Sequence, residues 1–154
     1  MALTIERVVR VILVILGVVT ALPVLALVSP GRALDFSYGI SPPSDPMALA
    51  LLQHRGILQA ALGAALIWAA FQPAVRVPAA VTAIVTKSVF LGLMATLPAT
   101  VRAGATPGIL FDIGAIVLLA AVTLHRTLTG SRGQDGGSPA RLSSGGRGRP
   151  AAGR

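Results

Sequence analysis

Three ionisable side chains, Arg55, Lys87 and Asp112, interrupt long apolar stretches of this 154-residue chain. Chemistry or recognition should be sought there, because a charged group at the middle of a lipid-spanning helix costs roughly 2.5–3.5 kcal/mol on insertion scales. Asp112 is the only acid within any of those stretches, so it neutralises one of the two cations. The remaining positive charge must be lost as a neutral amine, reach water or headgroup phosphate, or meet an anionic ligand, lipid or partner residue. An ion pair that fixes helix register and a ligand pocket are both open on these residues alone.

His54, Gln59 and Ser88 complete the candidate polar cluster. Gln59 and Gly63 follow Arg55 at four and eight residues, which places all three on one helical face. Gly56, Ala60 and Ala64 form a small-residue stripe beside it. Helices in lipid pack through small residues and bring polar ones to the interface, so this face should point inward, with His54 about 100° round from Arg55. Thr86 and Ser88 flank Lys87, and Ser88, Gly92 and Thr96 line a second face suited to close helix approach. Gly108 and Ala115 share the side of Asp112.

Several chemistries are excluded. The chain has no cysteine, so disulfides, thiolate metal sites and thiol redox chemistry are absent. His54 and His125 lie toward opposite ends of the helices and cannot share a metal. Neither a His-Glu-x-x-His spacing nor a Gly-x-Ser-x-Gly nucleophile motif occurs, and the Gly-rich runs follow no strand that could make a phosphate-cradling loop. No metal or other cofactor is expected. A net charge of +8 invites a nucleic-acid partner, but most of the basic residues flank apolar stretches or lie in the tail, without interleaved base-stacking aromatics.

The elements that must position the cluster are four apolar stretches, about residues 8–28, 47–71, 78–98 and 107–124. A bilayer core of about 30 Å takes about 20 residues of helix, and each stretch is long enough. In the first, Gly17 and Thr20 are the least apolar members. With 54% hydrophobic and only 12% charged residues, the chain is far from a soluble composition. The expected fold is therefore an all-α integral membrane protein, an antiparallel four-helix bundle over residues 1–128, followed by a disordered basic tail at 129–154.

Lys and Arg placement orients it. With the N-terminus inside, Arg7, Arg10, Arg76, Arg126 and the tail arginines are cytoplasmic and only Arg32 and Arg102 face out, as cytoplasmic loops retain the excess of positive charge. Both termini are then cytoplasmic. A cleaved leader is the competing reading, but the first apolar run exceeds the usual 7–15 residues and Val28-Ser29-Pro30 is a poor small-residue cleavage site. Residues 30–45, with Pro42, Pro43, Phe36 and Tyr38, form an outer loop, and Asp45-Pro46 is a helix start with Asp as N-cap. Pro73 to Pro78 makes a short inner turn, so the second and third spans are antiparallel neighbours, and residues 99–106 connect the third and fourth. The Gly/Ser/Arg/Pro tail cannot bury enough apolar area to order.

Glu6-Arg7-Val8-Val9-Arg10 leading into a Gly-containing first span, His54-Arg55-Gly56 near the outer end of the second and Pro73 to Pro78 at the inner turn together resemble the DoxX-like small four-helix bacterial membrane proteins, over about residues 5–126. The resemblance implies a bacterial inner membrane and a partner protein, since some members of that group are implicated as membrane subunits of quinone-linked oxidoreductases. The Ala, Gly, Pro and Arg bias, with a single lysine, agrees with a GC-rich bacterial source. The functional expectation is a non-catalytic membrane protein, an accessory subunit or a binder of a small or lipidic ligand. Its partners would be membrane lipids, a partner membrane protein or a second copy. Alternatives are a small oligomeric transporter or proton-coupled carrier using Lys87, Asp112 and Arg55, and a membrane enzyme acting on lipid or quinone.

Overall fold

The computed structural model describes residues 2–131. Among them every regular element is helical: α1 (Ala2–Ala21), a 3₁₀ segment (Leu22–Leu27), α2 (Pro30–Tyr38), α3 (Pro46–Phe71), a 3₁₀ turn (Pro73–Val75), α4 (Arg76–Ala95), α5 (Ala99–Gly104) and α6 (Thr106–Ser131). Three segments are long and apolar enough to cross a membrane: Leu3–Leu27, Pro73–Ala95 and Thr106–Leu124. At 26 residues α3 is as long as α6. It is not among the three, since Gln53, His54, Arg55 and Gln59 dilute its apolar content.

Local chemistry explains the boundaries. Pro23 has no N–H to give an α-helical ladder, and the first apolar stretch changes there from α1 to the tighter 3₁₀ segment. Asp45 caps α3 as its sequence promised, accepting from the Met47 N–H at 3.0 Å and the Ala48 N–H at 3.3 Å, with Pro46 at the first helical position. The expected outer loop is partly helical instead. Pro30 opens α2 and Gly39 closes it at φ 62°, a left-handed cap that glycine adopts without steric cost. A Cβ on Gly39 would also lie 2.9 Å from the Cα of Gly104, so this cap is latched against the end of α5. The 99–106 connection likewise contains the short helix α5.

Helices α1 and α3 run antiparallel and meet backbone to backbone. A Cβ on Gly17 would stand 2.6 Å from the Gly63 carbonyl oxygen, and one on Gly56 2.6 Å from that of Pro23. Small residues drive such approach where the surroundings are as apolar as the side chains. Gly56, Gly63 and Ala70 recur every seven residues and all are buried, whereas Ala64 is exposed. Helices α4 and α6 form the second close pair. Leu13, Leu16, Leu66, Ala69, Ala70, Ala80, Ala83, Ala115 and Leu119 join both pairs in one core. That core sits toward the end where α1 begins and the α3–α4 turn lies, here the turn end. At the other end, the crossover end, α2 and α5 pass between the long helices.

The face of α4 formed by Ser88, Gly92 and Thr96 departs from expectation. Ser88 and Thr96 are exposed, and a Cβ on Gly92 would meet nothing within 4 Å. The opposite face, with Ala80, Ala83, Lys87 and Phe90, is the buried one, because Lys87 must turn toward its acid on α6.

The disordered tail was expected from residue 129, but 129–131 still belong to α6; the rest of that segment, 132–154, lies outside the described residues.

Candidate functional site

Lys87 on α4 and Asp112 on α6 form a direct ion pair, Nζ donating to Oδ1, with side chains only 2% and 10% exposed. Antiparallel packing of the two helices brings them together although they are far apart in sequence. The Lys87 ammonium also stands 4.7 Å from the centroid of the Phe111 ring. Arg55 on α3 repeats the motif, its guanidinium carbon 4.6 Å from the Phe90 ring centroid. Each cation thus faces an aromatic quadrupole, an attraction of about 0.5–2 kcal/mol according to desolvation.

These groups share a cavity of about 540 Å³ at the crossover end. Val19, Thr20, Leu22 and Pro23 form one wall, Phe36 and Ser37 of α2 another, and Arg55 and Gln59, Lys87 and Phe90, and Phe111 and Asp112 come from α3, α4 and α6 in turn. Two of the residues that line it each hold a buried side-chain atom without a hydrogen-bond partner among the described residues, Thr20 Oγ1 and Gln59 Oε1. Thr20 as a whole is 3% exposed. Orphaned groups of this kind cost about 1–3 kcal/mol each, and native proteins keep few of them.

A second cavity, a groove of about 620 Å³, adjoins the first and shares Arg55, Gln59 and Phe90 with it. It separates residues 55–65 of α3 from residues 82–93 of α4, which diverge away from the turn-end core. Its walls include the exposed apolar side chains Leu58, Val89 and Leu93. The two cavities thus adjoin at Arg55, Gln59 and Phe90, and the groove is lined mainly by hydrocarbon.

Of the six residues singled out in the sequence, four line the chamber: Arg55, Gln59, Lys87 and Asp112. His54 and Ser88 are exposed and line neither cavity. Sequence reasoning missed Thr20, Phe90 and Phe111 as site residues. Phe90 follows Lys87 by three residues and Phe111 precedes Asp112, so helical spacing from the charged residues was the available signal. Gln53 was also missed; its amide donates to the Ala26 carbonyl at 3.2 Å and ties α3 to the 3₁₀ segment beside the chamber.

At the turn end lies a second buried polar centre. Arg76, expected in the short cytoplasmic turn, is 1% exposed. It donates to the carbonyls of Ala69 at 2.8 Å and Ala70 at 2.9 Å, and through both terminal nitrogens to the Glu6 carboxylate, 3.0 Å for Nη1 to Oε2. The carbonyls belong to the last turn of α3, whose final C=O groups have no partner within the helix, so Arg76 caps α3 while α1 supplies the counter-charge. Glu6 is the first acid in the chain and the next is Asp35. A lone acid among N-terminal arginines was the signal available.

No protein-family model matches this chain, and no curated protein or solved structure matches it.

Proposed function

We propose that this chain is a small integral membrane protein that binds a lipidic ligand, non-catalytically, in the chamber formed by Thr20, Arg55, Gln59, Lys87 and Asp112. The observation that carries the reading is the pairing of two orphaned buried polar atoms with an apolar sideways opening. A typical ligand pocket is lined predominantly by apolar side chains, with a few placed polar groups that orient the occupant. A ligand that satisfies Thr20 and Gln59 removes a standing energetic cost and needs no aqueous path to arrive.

In this proposal α3 is the fourth span of an antiparallel bundle. Arg55 and Gln59 line the chamber and Gln53 bonds the Ala26 carbonyl, so of its polar residues near there only His54 is left on the exposed surface. Arg7, Arg10 and Arg76 at the turn end set that end in the cytoplasm of a bacterial inner membrane by the retention of positive charge inside, and the chamber falls in the opposite, outer half. Membership in the DoxX-like group, and with it an accessory role beside a partner membrane protein, belongs to the same proposal.

Mass spectrometry of lipid carried through purification tests it. The wild-type chain should retain a lipid in near-stoichiometric amount, and Gln59→Trp, which fills the junction of chamber and groove, should lose it while eluting as the wild type does. Equal retention by both chains would refute the reading.

A further inference from the structure

We infer that a phospholipid with an ethanolamine-type headgroup, one phosphate and one ammonium, docks at a second site, the cleft between the 3₁₀ segment and α2, with its phosphate on Arg32 and its ammonium on Asp35. The inference rests on the membrane placement proposed above, which sets the crossover end at the outer surface of the bilayer, and not on what fills the chamber.

The cleft, of about 360 Å³, is lined by Leu22, Leu25 and Val28 from one side and by Ala33 and Phe36 of α2 from the other. Val28 is 89% and Phe36 76% exposed, so the chain leaves apolar surface uncovered here, whereas Ala33 and Leu34 seat α2 and are buried. Uncovered apolar surface beside exposed charges, at the level of the headgroups, is met by the glycerol and upper acyl region of a lipid.

Arg32 is the only charged residue that lines the cleft. It is exposed, as is Asp35, and among the described residues neither side chain has a hydrogen-bond or ion-pair partner. Ser29 lines the same cleft and its side chain makes no capping bond to α2. A phosphate at the mouth of the cleft therefore meets a guanidinium fork, which matches its oxygens in pairs, and a hydroxyl.

Asp35 selects the rest of the headgroup. It follows Arg32 by three residues, a rise of about 4.5 Å along the axis between neighbouring positions of one helical face. An ammonium joined to the phosphate by two carbons spans that distance. The two side chains sum to zero charge, which a zwitterion matches. A phosphatidylglycerol headgroup answers Arg32 but brings no cation to Asp35. The cleft shares Leu22, Phe36 and Ser37 with the chamber, yet Arg32 lines the cleft and not the chamber, so its replacement reads this site alone.

Photo-crosslinking of the full chain in nanodiscs tests this, with phosphatidylethanolamine carrying a diazirine in its acyl chain and the adducts mapped by peptide mass spectrometry. Adducts should concentrate on Leu22, Leu25, Val28 or Phe36. Unlabelled phosphatidylethanolamine should displace the probe about five-fold more effectively than phosphatidylglycerol, the upper scale of one exposed ion pair. Asp35→Asn should remove that preference, and Arg32→Gln should weaken cleft labelling by about five-fold. Both side chains are exposed and outside the core, so neither replacement disturbs the fold. Equal displacement by the two lipids, or a preference that survives Asp35→Asn, overturns the headgroup assignment. Adducts confined to the groove between α3 and α4, or spread evenly over every apolar helix, overturn the cleft, and the chamber reading stands or falls by its own test. Cleft labelling with the ethanolamine preference, in a chain that retains lipid equally with and without Gln59→Trp, supports this site while the chamber reading fails.

Discussion

Glu6–Arg76 at the turn end and Lys87–Asp112 at the crossover end are each one acid and one base joined between helices far apart in sequence, with a basic side chain at most 2% exposed. Their surroundings differ in kind. Around Arg76 the donors are matched: its Nε and both terminal nitrogens all reach acceptors on Ala69, Ala70 and Glu6, beside a core of small and aliphatic residues. Around Lys87 and Asp112 lie a cavity of about 540 Å³, two aromatic rings and two polar atoms without partners. A polar group that is fully satisfied within the chain stabilises one helix arrangement; one that stands beside unsatisfied neighbours is arranged for something further. Burial and ion pairing alone do not separate the two cases, because both centres have them.

The contrast is broken most forcefully by removing both members of each pair. Arg76→Met alone should cost about 3–5 kcal/mol in thermal or denaturant unfolding in detergent, as expected when a buried pair loses one partner. Adding Glu6→Gln should restore little, since the carbonyls of Ala69 and Ala70 remain without their donor. Lys87→Met with Asp112→Leu leaves no backbone group orphaned, and its stability should return to within about 1.5 kcal/mol of wild type. Full recovery in the first double variant, or none in the second, would erase the distinction drawn between the two ends.

A smaller effect follows from the glycines. Gly63→Ala forces a Cβ onto the Gly17 carbonyl, and backbone on both sides leaves no side chain to move aside, so α1 and α3 must separate at a cost of about 1–3 kcal/mol. Gly92→Ala meets nothing within 4 Å and should gain up to about 1 kcal/mol from helix propensity. The pair of measurements, made by the same unfolding assay, should move in opposite directions. If Gly92→Ala destabilises as much as Gly63→Ala, the exposed face of α4 is engaged by something outside the chain.

How much of this was legible beforehand depended on whether a residue was conspicuous in its own stretch. Arg55, Lys87 and Asp112 were, since a charge in hydrocarbon cannot be overlooked and a single acid must choose a base. Asp45-Pro46 was equally plain, because capping is a local geometry. Arg76 was hidden by its position: just after a turn it reads as a flanking charge, and only the three-dimensional meeting of α1 with the α3–α4 turn brings Glu6 to it. Ser88 misled for a related reason. Its neighbour Lys87 is buried, but consecutive helical residues point about 100° apart, so turning Lys87 inward turned Ser88 out. Gly17 and Thr20 stood out only as the least apolar members of the first stretch, and one proved to be the helix contact while the other supplies the chamber's hydroxyl. Which was which could not be read without the register of α1 against α3.

The subtlest expected effect has the opposite sign at the two ends. Thr20→Val keeps nearly the same shape and removes a hydroxyl that no group among the described residues pairs. The chain stripped of lipid should therefore gain up to about 1 kcal/mol, the cost of the orphaned group being lifted, whereas a valine cannot hydrogen-bond a ligand and lipid retention should fall. At the turn end every removal of a polar atom costs stability, since each one there has a partner to abandon. A Thr20→Val chain that loses stability without lipid would mean that its hydroxyl is satisfied within the protein, and the chamber would then have one reason fewer to hold a ligand.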